Sequence, residues 1–474
     1  MEMYGRRVIT TDAIAITDDN IVDELNRAFN THNLNRGEIE YLWNYYRGQQ
    51  PILQRKKTVR PEICNKIVEN RANEIVSFKV GYLCGEPIQY VGRNGDESVS
   101  KAITELNEMM FSENKATQDK ELVEWQMICG TAYRLILPDS RGDEDDAPFE
   151  MFTLDPRDTF VVKSSEVGNK PMYAVKYRVD SERNRICSVY SANHYWKIVG
   201  DKIVESKPHA LGMIPIFEYP ANNARLGAFE IVLPMLDAIN NVASNRMDGI
   251  EQFIQSFIKF VNCDIDEAQF KALKEMGAIK VKSVDGSTAD VSIVTQELNQ
   301  MQTQTLVDYL YQTVLTICGM PSMSDGSSSD SSNNGAVILK NGWQGAETRA
   351  KDSELMFKKS ENEVLKLILR IIRDTRGLSE DIYNLRLKNI SLQFTRRNYE
   401  NVQSKAQVLV SMLQQNKIHP RLAFEHSGLF TDPESAYQQS KEYSEEQEKK
   451  AIAMAQGTAE EDDDTPTENE PKEM

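Results

Sequence analysis

The sequence is 474 residues long, 40% of the residues are hydrophobic, 27% are charged, and the formal net charge at pH 7 is -17. This composition predicts a soluble protein with more than one hydrophobic core, and the negative charge argues against a protein that simply coats nucleic acid. No apolar run approaches the roughly 20 residues needed to cross a bilayer, and six scattered cysteines without a Cys-x-x-Cys pair predict buried, reduced thiols.

Residues 18–85 have the apolar spacing and the end signals of helices. "DDNIVDELNRAFNTHN", with Thr17 or Asp18 as its cap, and "NRGEIEYLWNYYRG", ending at Gly48, predict two helices. A third is predicted in "PEICNKIVENRANEIVSFKVGYLCG". The basic stretch "QRKKTVR" (residues 54–60), between the second and third of these helices, is typical of a solvated surface, with a contact to nucleic acid or to another protein as the alternative.

Residues 86 to about 220 change to a period of two, which is typical of strands. The β-branched and aromatic runs are broken by Gly, Pro, Asp and Asn, and they are "PIQYVG", "TAYRLILPD", "EMFTLDP", "TFVVKS", "MYAVKYRV", "ICSVYS" and "HYWKIVG". One helix, "TQDKELVEWQMICG", interrupts them. The pattern predicts an α+β domain with antiparallel strands.

Two long helices and a small insert follow. Apolar residues at helical steps predict a helix from about Phe229 to Val261, with Pro234 as a kink. Next come a short helix and a hairpin around an Asp285-Gly286 turn. A second helix, from about 296 to 318, carries Met301 and Leu306 on its apolar side. The two helices therefore run out from the main domain and return antiparallel, with the insert at their far tip.

The polar run "PSMSDGSSSDSSNNG", residues 321–335, lies between two regular helical patterns. The second pattern predicts a helix over roughly 336–374, in which Trp343, Ala350 and Phe357 recur every seven residues and a bend near Gly345 is plausible. The run itself predicts a flexible loop that is held at both ends. "NLRLKNISLQFTRR" then predicts a strand, a helical end follows, and the acidic tail is predicted to be disordered.

A neutral or acidic stretch spans the returning helix and the loop. From Ser283 to Leu339, 57 residues contain no Lys or Arg, although the chain has 55 of them. Such a surface suits a passage for a polyanion that must slide, because each basic contact to a phosphate adds a salt-dependent grip. The alternative, a polar helix face that lacks basic residues by chance, remains open.

Several segments together resemble one known family. They are "YYRGQQPIL", "NKIVENRANEIVSFKVGYLCGEPIQY", "DPRDTFVV", "GMIPIFEYPANN", "FEIVLPMLDAINNVASNRMDGIEQF" and "GMPSMSDGSSSDSSNNGAVILKNG". In this order and spacing the chain resembles the portal proteins of long-tailed, siphovirus-type bacteriophages over nearly its whole length. The resemblance implies a portal-type α+β fold and a ring of about twelve subunits around a DNA tunnel.

The resemblance also implies a division of the chain into regions. These are a wing (1–223), a descending stem helix (224–262), a clip (263–295), a returning stem helix (296–318), a tunnel loop (319–335), a long wing helix with a closing strand (336–395), a helical crown (396–455) and an acidic tail (456–474). Portal-type residue roles follow from these regions rather than from any catalytic motif.

The implied site residues fall into four groups. They are the tunnel loop (Ser324, Asp325, Ser327, Ser328, Ser329, Asp330, Ser331, Ser332, Asn333, Asn334), the tunnel-lining stem helix (Gln300, Gln304, Asp308), the clip docking surface (Lys280, Lys282, Asp285) and the subunit contact (Trp343, Ala350, Phe357). The implied partners are further copies of the chain, double-stranded DNA, the terminase large subunit, a head-completion or tail adaptor protein, and scaffold and major capsid proteins.

Enzyme and metal functions are poorly supported by the sequence. "DSSNNGAVILKN" (330–341) resembles half of an EF-hand loop, but Asn341 stands where a bidentate Glu is needed. No phosphate-binding Gly-rich motif occurs, so the packaging motor is expected to be another protein. We therefore expect no catalytic residues, cofactor, metal or membrane contact, and a location in the virion after synthesis in the bacterial cytoplasm. The alternative is a tail or capsid-scaffold protein without a DNA channel.

Overall fold

The computed structural model describes residues 5–93, 97–139, 147–254, 257–261, 263–264, 271, 282–283, 290–294, 300–321, 343–396, 402–415, 417–430 and 433–460. The chain divides into two compact units, the first made of residues 1–81, 121–134 and 153–357, the second of 82–120, 135–152 and 358–474. The mixture of helix and sheet agrees with the predicted α+β class.

The described residues form α-helices that range from 5 to 32 residues in length. They are α1 (Ile21–Tyr46), α2 (Arg71–Cys84), α3 (Glu97–Ser112), α4 (Lys115–Cys129), α5 (Leu233–Ile254), α6 (Gln300–Cys318), α7 (Trp343–Asp374), α8 (Glu380–Asn384), α9 (Val402–Leu413), α10 (Pro420–Ser427) and α11 (Pro433–Glu460). Short 3-10 turns lie at Pro51–Gln54, Glu230–Val232 and Leu387–Asn389.

The strands lie mainly between residues 131 and 220. They are β1 (Ile9–Thr11), β2 (Gln89–Gly92), β3 (Thr131–Pro138), β4 (Phe149–Leu154), β5 (Thr159–Ser164), β6 (Pro171–Val179), β7 (Arg185–Tyr190), β8 (His194–Val199), β9 (Lys202–Pro208), β10 (Ile216–Pro220), β11 (Phe257–Val261), β12 (Cys263–Asp264), β13 (Lys282–Ser283), β14 (Asp290–Val294) and β15 (Ile390–Gln393).

The first unit is built on a six-stranded sheet with the order β1-β5-β6-β7-β8-β9. Strands β5 to β9 form an antiparallel meander, and β1 adds parallel to β5. Helix α1 covers one face of the sheet, where the Phe29 ring lies 5.3 Å from Phe160 and 5.1 Å from Tyr177. Alternation along the strands places every second side chain in this core, as the period of two predicts.

A buried arginine anchors the start of the chain. Arg6 contacts Glu38 of α1 at 3.1 Å and Glu230 at 2.5 Å, and its guanidinium donates to the carbonyl of Cys129. Glu230 also accepts from the backbone N–H of Gly227. A buried cation is tolerated because carboxylates and a carbonyl surround it. The network ties the N-terminal segment to α1, α4 and the approach to α5.

Helix α1 is one continuous helix, whereas the sequence predicted two. Gly37 lies inside it, with open space where a side chain would be, and Gly48 adopts φ +88 just after its end. Asn20 rather than Thr17 precedes the first turn, and its side chain makes no capping bond. Asp18 instead accepts a hydrogen bond of 2.5 Å from the indole of Trp196, so its side chain is committed to the sheet.

Further predictions about elements were wrong or incomplete. Two helices, α3 and α4, stand where one was predicted, and β1, β9 and β10 were not predicted. Helix α5 ends at Ile254, and Phe257–Val261 is strand β11 rather than more helix. Pro234 is the second residue of α5 and causes no kink in its interior, because a helix start leaves its N–H groups unpaired anyway. The predicted stem region 224–262 therefore contains both a helix and a strand.

The strands of the insert also pair differently from the prediction. Strand β11 pairs antiparallel with β14, and β12 pairs with β13. The predicted hairpin instead joined the segments of β13 and β14 to each other. The described part of the insert thus consists of strand pairs that continue the two helices flanking it.

The second unit contains a small sheet and a helical end. Strand β2 pairs antiparallel with β15. Lys115, buried in this unit, lies 3.3 Å from the fully buried Glu361 and also pairs with Asp119, and Tyr90 donates to Glu361 at 2.5 Å. Helices α9, α10 and α11 form a separate apolar cluster around Leu409, Ala423 and Phe424.

Candidate functional site

Helices α5 and α6 pack antiparallel in the first unit. Arg246 of α5 donates to Gln304 near the start of α6, whereas the thiol of Cys318 at the other end of α6 lies 3.6 Å from the carbonyl of Ala228, just before α5. Contacts that pair the late part of one helix with the early part of the other require opposite directions. Strands β11 and β14 continue the pair beyond the helices.

The predicted tunnel-lining residues of α6 lie on an exposed face. Gln304 and Asp308 are both exposed, and the Gln304 amide donates to Asp308 at 2.7 Å. Gln304 also accepts from Arg246 of α5. The face is therefore less free of cations than the sequence alone predicts, since the neighbouring helix contributes one. Gln300 is the first residue of α6, and its side chain lies outside the described residues.

An extended segment, residues 55–70, runs along α5; we call it the strap. Three α5 side chains one turn apart accept backbone N–H groups from alternate strap residues. The pairs are Asn65 to Asp248 at 2.7 Å, Ile67 to Ser244 at 2.9 Å and Glu69 to Asn240 at 2.9 Å. Four residues of an α-helix and two residues of an extended chain each advance by about 6 Å, so the side chains of α5 stay aligned with the strap N–H groups that they accept.

The structure of the strap contradicts two predictions, one about its helical content and one about its basic residues. Residues 61–70 were predicted to be helical, but helix α2 begins only at Arg71. Two side chains of the basic stretch 54–60, Arg55 and Lys57, each lie 3.0 Å from the buried Asp248. They neutralise this carboxylate, and its hydrogen bonds to Asn65 and its cationic neighbours outweigh burial and hold its pKa below the usual range.

Helix α2 is fixed to α6 by an arginine and a tyrosine. Arg71 pairs with Glu69 and Glu74, each at 3.0 Å, and its guanidinium lies 4.2 Å from the ring centre of Tyr311 on α6. Tyr311 donates to Glu74 at 2.5 Å, and burial together with this bond raises the pKa of Tyr311 to about 12. The strap, α2, α5 and α6 therefore form one connected group of elements.

Both described ends of the predicted tunnel loop are held by packing. At the end of α6 the backbone N–H groups of Gly319 and Met320 bond to Thr316 and Leu315, and Met320 is buried. At the start of α7 the Trp343 ring lies 6.1 Å from Phe78 of α2. The ten predicted loop residues, Ser324 to Asn334, lie outside the described residues.

The clip residues are only partly described. Lys282 belongs to strand β13 and pairs with Asp264, but its side chain is outside the described residues, as are Lys280 and Asp285 entirely. The docking surface predicted for them stays a prediction.

The predicted subunit-contact residues of α7 lie largely inside their own chain. Phe357 is fully buried and its ring lies 5.2 Å from Tyr219; Ala350 is also buried. Trp343 is partly exposed beside Phe78. Phe357 and Ala350 therefore contribute to the packing of the chain itself, and the subunit contact predicted for α7 stays a prediction.

The sequence predicts Met301 and Leu306 on the apolar side of α6, and in the structure both side chains are exposed. Met301 is 82% exposed and Leu306 46%, and the neighbouring Tyr309 is 66% exposed. Helical periodicity marks an apolar face but does not say whether the same chain covers it. These three side chains form an exposed apolar cluster that spans about two turns of the described part of α6.

The rest of the described chain adds two observations. None of its helices is long and apolar enough to cross a membrane. Within the described ranges, no group of three or more His, Cys, Asp or Glu is arranged to hold a metal ion. The thiols of Cys129, Cys187 and Cys318 are buried, as predicted, and burial raises their pKa to between about 11 and about 12. Cys64 and Cys84, which were also predicted to be buried, are only partly buried.

Comparison with known proteins gives a family match and similarity to solved structures. The family model described as "Phage portal protein, SPP1 Gp6-like" matches residues 25–451. A chain of the structure titled "Neck of empty GTA particle computed with C6 symmetry" is similar with 11% identity over 76% of this chain and 90% of that chain, at a TM-score of 0.44. No curated protein matches the sequence.

Proposed function

Because the chain belongs to the SPP1 Gp6-like family of phage portal proteins, we propose that its copies close into a ring of about twelve subunits at one vertex of a bacteriophage capsid. As a portal protein it forms part of the route by which DNA passes between capsid and tail. The family is a structural one, and we propose no catalytic reaction for this chain. The observation that carries the proposal is the family match over residues 25–451.

We propose specific partner proteins on the basis of the portal role. During filling, the ring docks the terminase large subunit, and afterwards it docks a head-completion or tail adaptor protein. Scaffold and major capsid proteins surround it, and it nucleates procapsid assembly. The clip residues Lys280, Lys282 and Asp285 are the proposed docking surface for the motor and the adaptor. The antiparallel α5 and α6 support this assignment, because they lead to the insert and back.

Electron microscopy of the purified protein tests the proposal. We expect rings of about a dozen copies with a central hole, because a head-to-tail contact with the right rotation closes on itself. A protein that stays monomeric or dimeric at all concentrations would contradict the ring. Rings without a hole would favour a different structural protein of the virion.

We further propose that the tunnel loop contacts moving DNA through uncharged groups. Replacing Ser328 and Ser331 by Lys adds about two dozen cations to a ring of about twelve, and at a few tenths of a kcal/mol per exposed phosphate pairing the total reaches several kcal/mol. In vitro DNA packaging should slow at low salt and recover as salt rises. Exchanging Ser328 and Ser331 for Asn is the matched control, which should package normally. Equal rates for both variants would mean that the loop does not face DNA.

A further inference from the structure

The six-stranded sheet has one apolar face and one basic face. Tyr177, Cys187 and Ile198 point into the core that α1 covers. Because successive side chains of a strand point to opposite faces, the residues next to them lie on the other face. The pairing of β6, β7, β8 and β9 arranges these residues in three rows, which are Tyr190-Tyr195-Lys207, Lys176-Ser188-Lys197-Glu205 and Arg178-Ile186-Val199-Lys202. We call these three rows the basic sheet face.

The basic sheet face remains in contact with solvent. Arg178, Lys202 and Lys207 are exposed, and the other members are half-buried. An antiparallel sheet commonly packs one face on the core and leaves the other in water. Arg178 and Lys202 form no ion pair within the described ranges. Their charges are therefore open to a partner from outside.

The acidic groups beside this face compensate only part of its charge. The three rows contain five cations and one acid. Lys176 contacts Asp158, Lys207 contacts Glu205 at 2.9 Å, and Lys197 lies opposite the same Glu205. Positive charge remains here, although the net charge of the chain is -17. An anionic partner is therefore attracted to this face and repelled by the chain as a whole.

The acidic tail offers the opposite charge. Its residues 461–474, which lie outside the described residues, include seven Asp or Glu, one Lys and no aromatic or branched aliphatic residue. Such a segment binds a surface mainly through charge, because it has little apolar surface to bury. Fully extended, it spans up to about 45 Å.

We propose that the acidic tail of one copy docks on the basic sheet face of another copy, an inference that rests on the proposed ring. A head-to-tail ring joins two different surfaces of the same chain. An acidic segment and a basic face meet this condition, whereas two basic faces repel each other. Carboxylates of the tail accept charge-assisted hydrogen bonds from the lysines and from Arg178, and the contact offsets part of the repulsion between copies.

Zero-length crosslinking of the full chain tests the contact in an equal mixture of isotope-labelled and unlabelled copies. A carbodiimide joins a carboxylate directly to a lysine ammonium group, so it captures groups that touch. We expect crosslinks from residues 461–474 to Lys197 and Lys207, the two reporter lysines. Mixed isotope patterns in the crosslinked peptides show that the two partners belong to different copies. At about 1 M salt, where the screening length falls to about 3 Å, the yield should fall several-fold.

Charge reversal on the face gives the matched comparison. Arg178→Glu combined with Lys202→Glu reverses two exposed charges and leaves both reporter lysines in place. We expect their crosslinks to the acidic tail to fall several-fold. Lys120→Glu combined with Lys388→Glu is the control: both lysines are exposed, and the net charge changes by the same amount. This control should leave the crosslinks unchanged.

Three results would overturn the inference. They are crosslinks within single copies only, tail crosslinks to Lys388 as frequent as those to the reporter lysines, and equal yields from the two double variants. A short fluorescent DNA duplex that binds the wild type but not Arg178→Glu with Lys202→Glu, in the absence of tail crosslinks, would assign the face to nucleic acid instead.

The inference and the proposed function fail in different ways. If the mixed copies close into rings without these crosslinks, the tail contact is wrong and the ring stands. If the copies crosslink at the basic sheet face but form no rings in electron microscopy, the tail contact stands and the proposed function is wrong.

Discussion

His32 is a histidine of the first unit's core that carries no charge at neutral pH. Its ring stacks on Phe160 at 4.4 Å, and its Nε2 lies 3.2 Å from the carbonyl of Arg157, to which the N–H donates, and 3.3 Å from the hydroxyl of Tyr177. Burial lowers the pKa of His32 to about 4, and the charges of Arg36 and Arg185 add to the shift. The imidazole acts as a packed ring with one satisfied donor.

We expect acid to destabilise the protein through His32. The unfolded chain binds a proton at this residue below about pH 6.5, whereas the folded chain does so only near pH 4, so stability falls as the pH drops through this window. The shift corresponds to about 3 kcal/mol in the free energy of unfolding. Urea unfolding across pH 4–7 should therefore show a flatter curve for His32→Phe than for the wild type.

The contribution of His32 to the pH dependence of stability can be separated from the contributions of other titratable groups. Burial opposes ionisation of Glu218, but Arg225 and Lys163 outweigh it and lower its pKa to about 2, so its contribution is lost only below about pH 4.5. His209, whose pKa is also lowered by burial, stays present in both proteins and cancels in the comparison. Parallel curves for wild type and His32→Phe would show that His32 is not the group responsible.

At the scale of elements, the end of α6 is a helix stop that depends on one glycine. Gly319 has φ +65, and the two backbone bonds from Gly319 and Met320 close the last turn in the Schellman arrangement. The left-handed conformation ends the helix at this residue. Any side chain at this position would be strained and would also displace Arg349.

A pair of glycine substitutions tests this stop. Gly319→Ala should lower the free energy of unfolding by about 1–2 kcal/mol, because an L-residue is strained in the left-handed region. Gly345→Ala is the control: this glycine lies in α7 with open space around its Cα, and alanine there should raise stability by about 0.5 kcal/mol. Thermal unfolding of both variants measures the difference. A decrease of equal size in both would mean that the conformation of Gly319 is not the cause.

Periodicity predicted the strands of the main sheet well, because alternating β-branched and aromatic residues such as those of β6 have few other uses. Periodicity failed where the backbone of a segment bonds to side chains of a distant element. Residues 61–70 have helical spacing, yet their backbone N–H groups are bonded by Asn240, Ser244 and Asp248, about 180 positions later in the chain. A window of local sequence does not contain those partners.

Two further errors have local physical causes. The sequence predicts a break between Asn33 and Asn35, but α1 continues through these residues. Gly37 has open space around it and costs the helix only about 1 kcal/mol, which the core contacts of α1 outweigh. Phe257–Val261 fits both a helical and a strand pattern, since short apolar runs are ambiguous. Residues 257–261 form a strand because they pair with β14, about 33 residues later in the chain. The site residues came from resemblance to a family, because neutral Ser and Gln side chains carry no motif.

At the scale of the whole molecule, an isolated subunit leaves apolar surface on α6 uncovered. Met301, Leu306 and Tyr309 are exposed, although each would contribute about 1–3 kcal/mol if it were fully buried. A net charge of -17 makes copies repel one another over long distances. Closing a ring therefore needs short-range attraction between subunits, and these side chains are available to supply it.

Introducing charge at this cluster should prevent assembly without unfolding the subunit. We expect Leu306→Asp combined with Tyr309→Asp to give folded monomers or open oligomers, because two buried, unpaired carboxylates per contact cost several kcal/mol. Thr305→Asp is the control, since it places an acid on the same turn at a position that is already polar and exposed. Light scattering and electron microscopy measure ring formation, and circular dichroism checks the fold. Normal rings from the double variant would place these side chains outside every subunit contact, and the attraction would have to come from another surface.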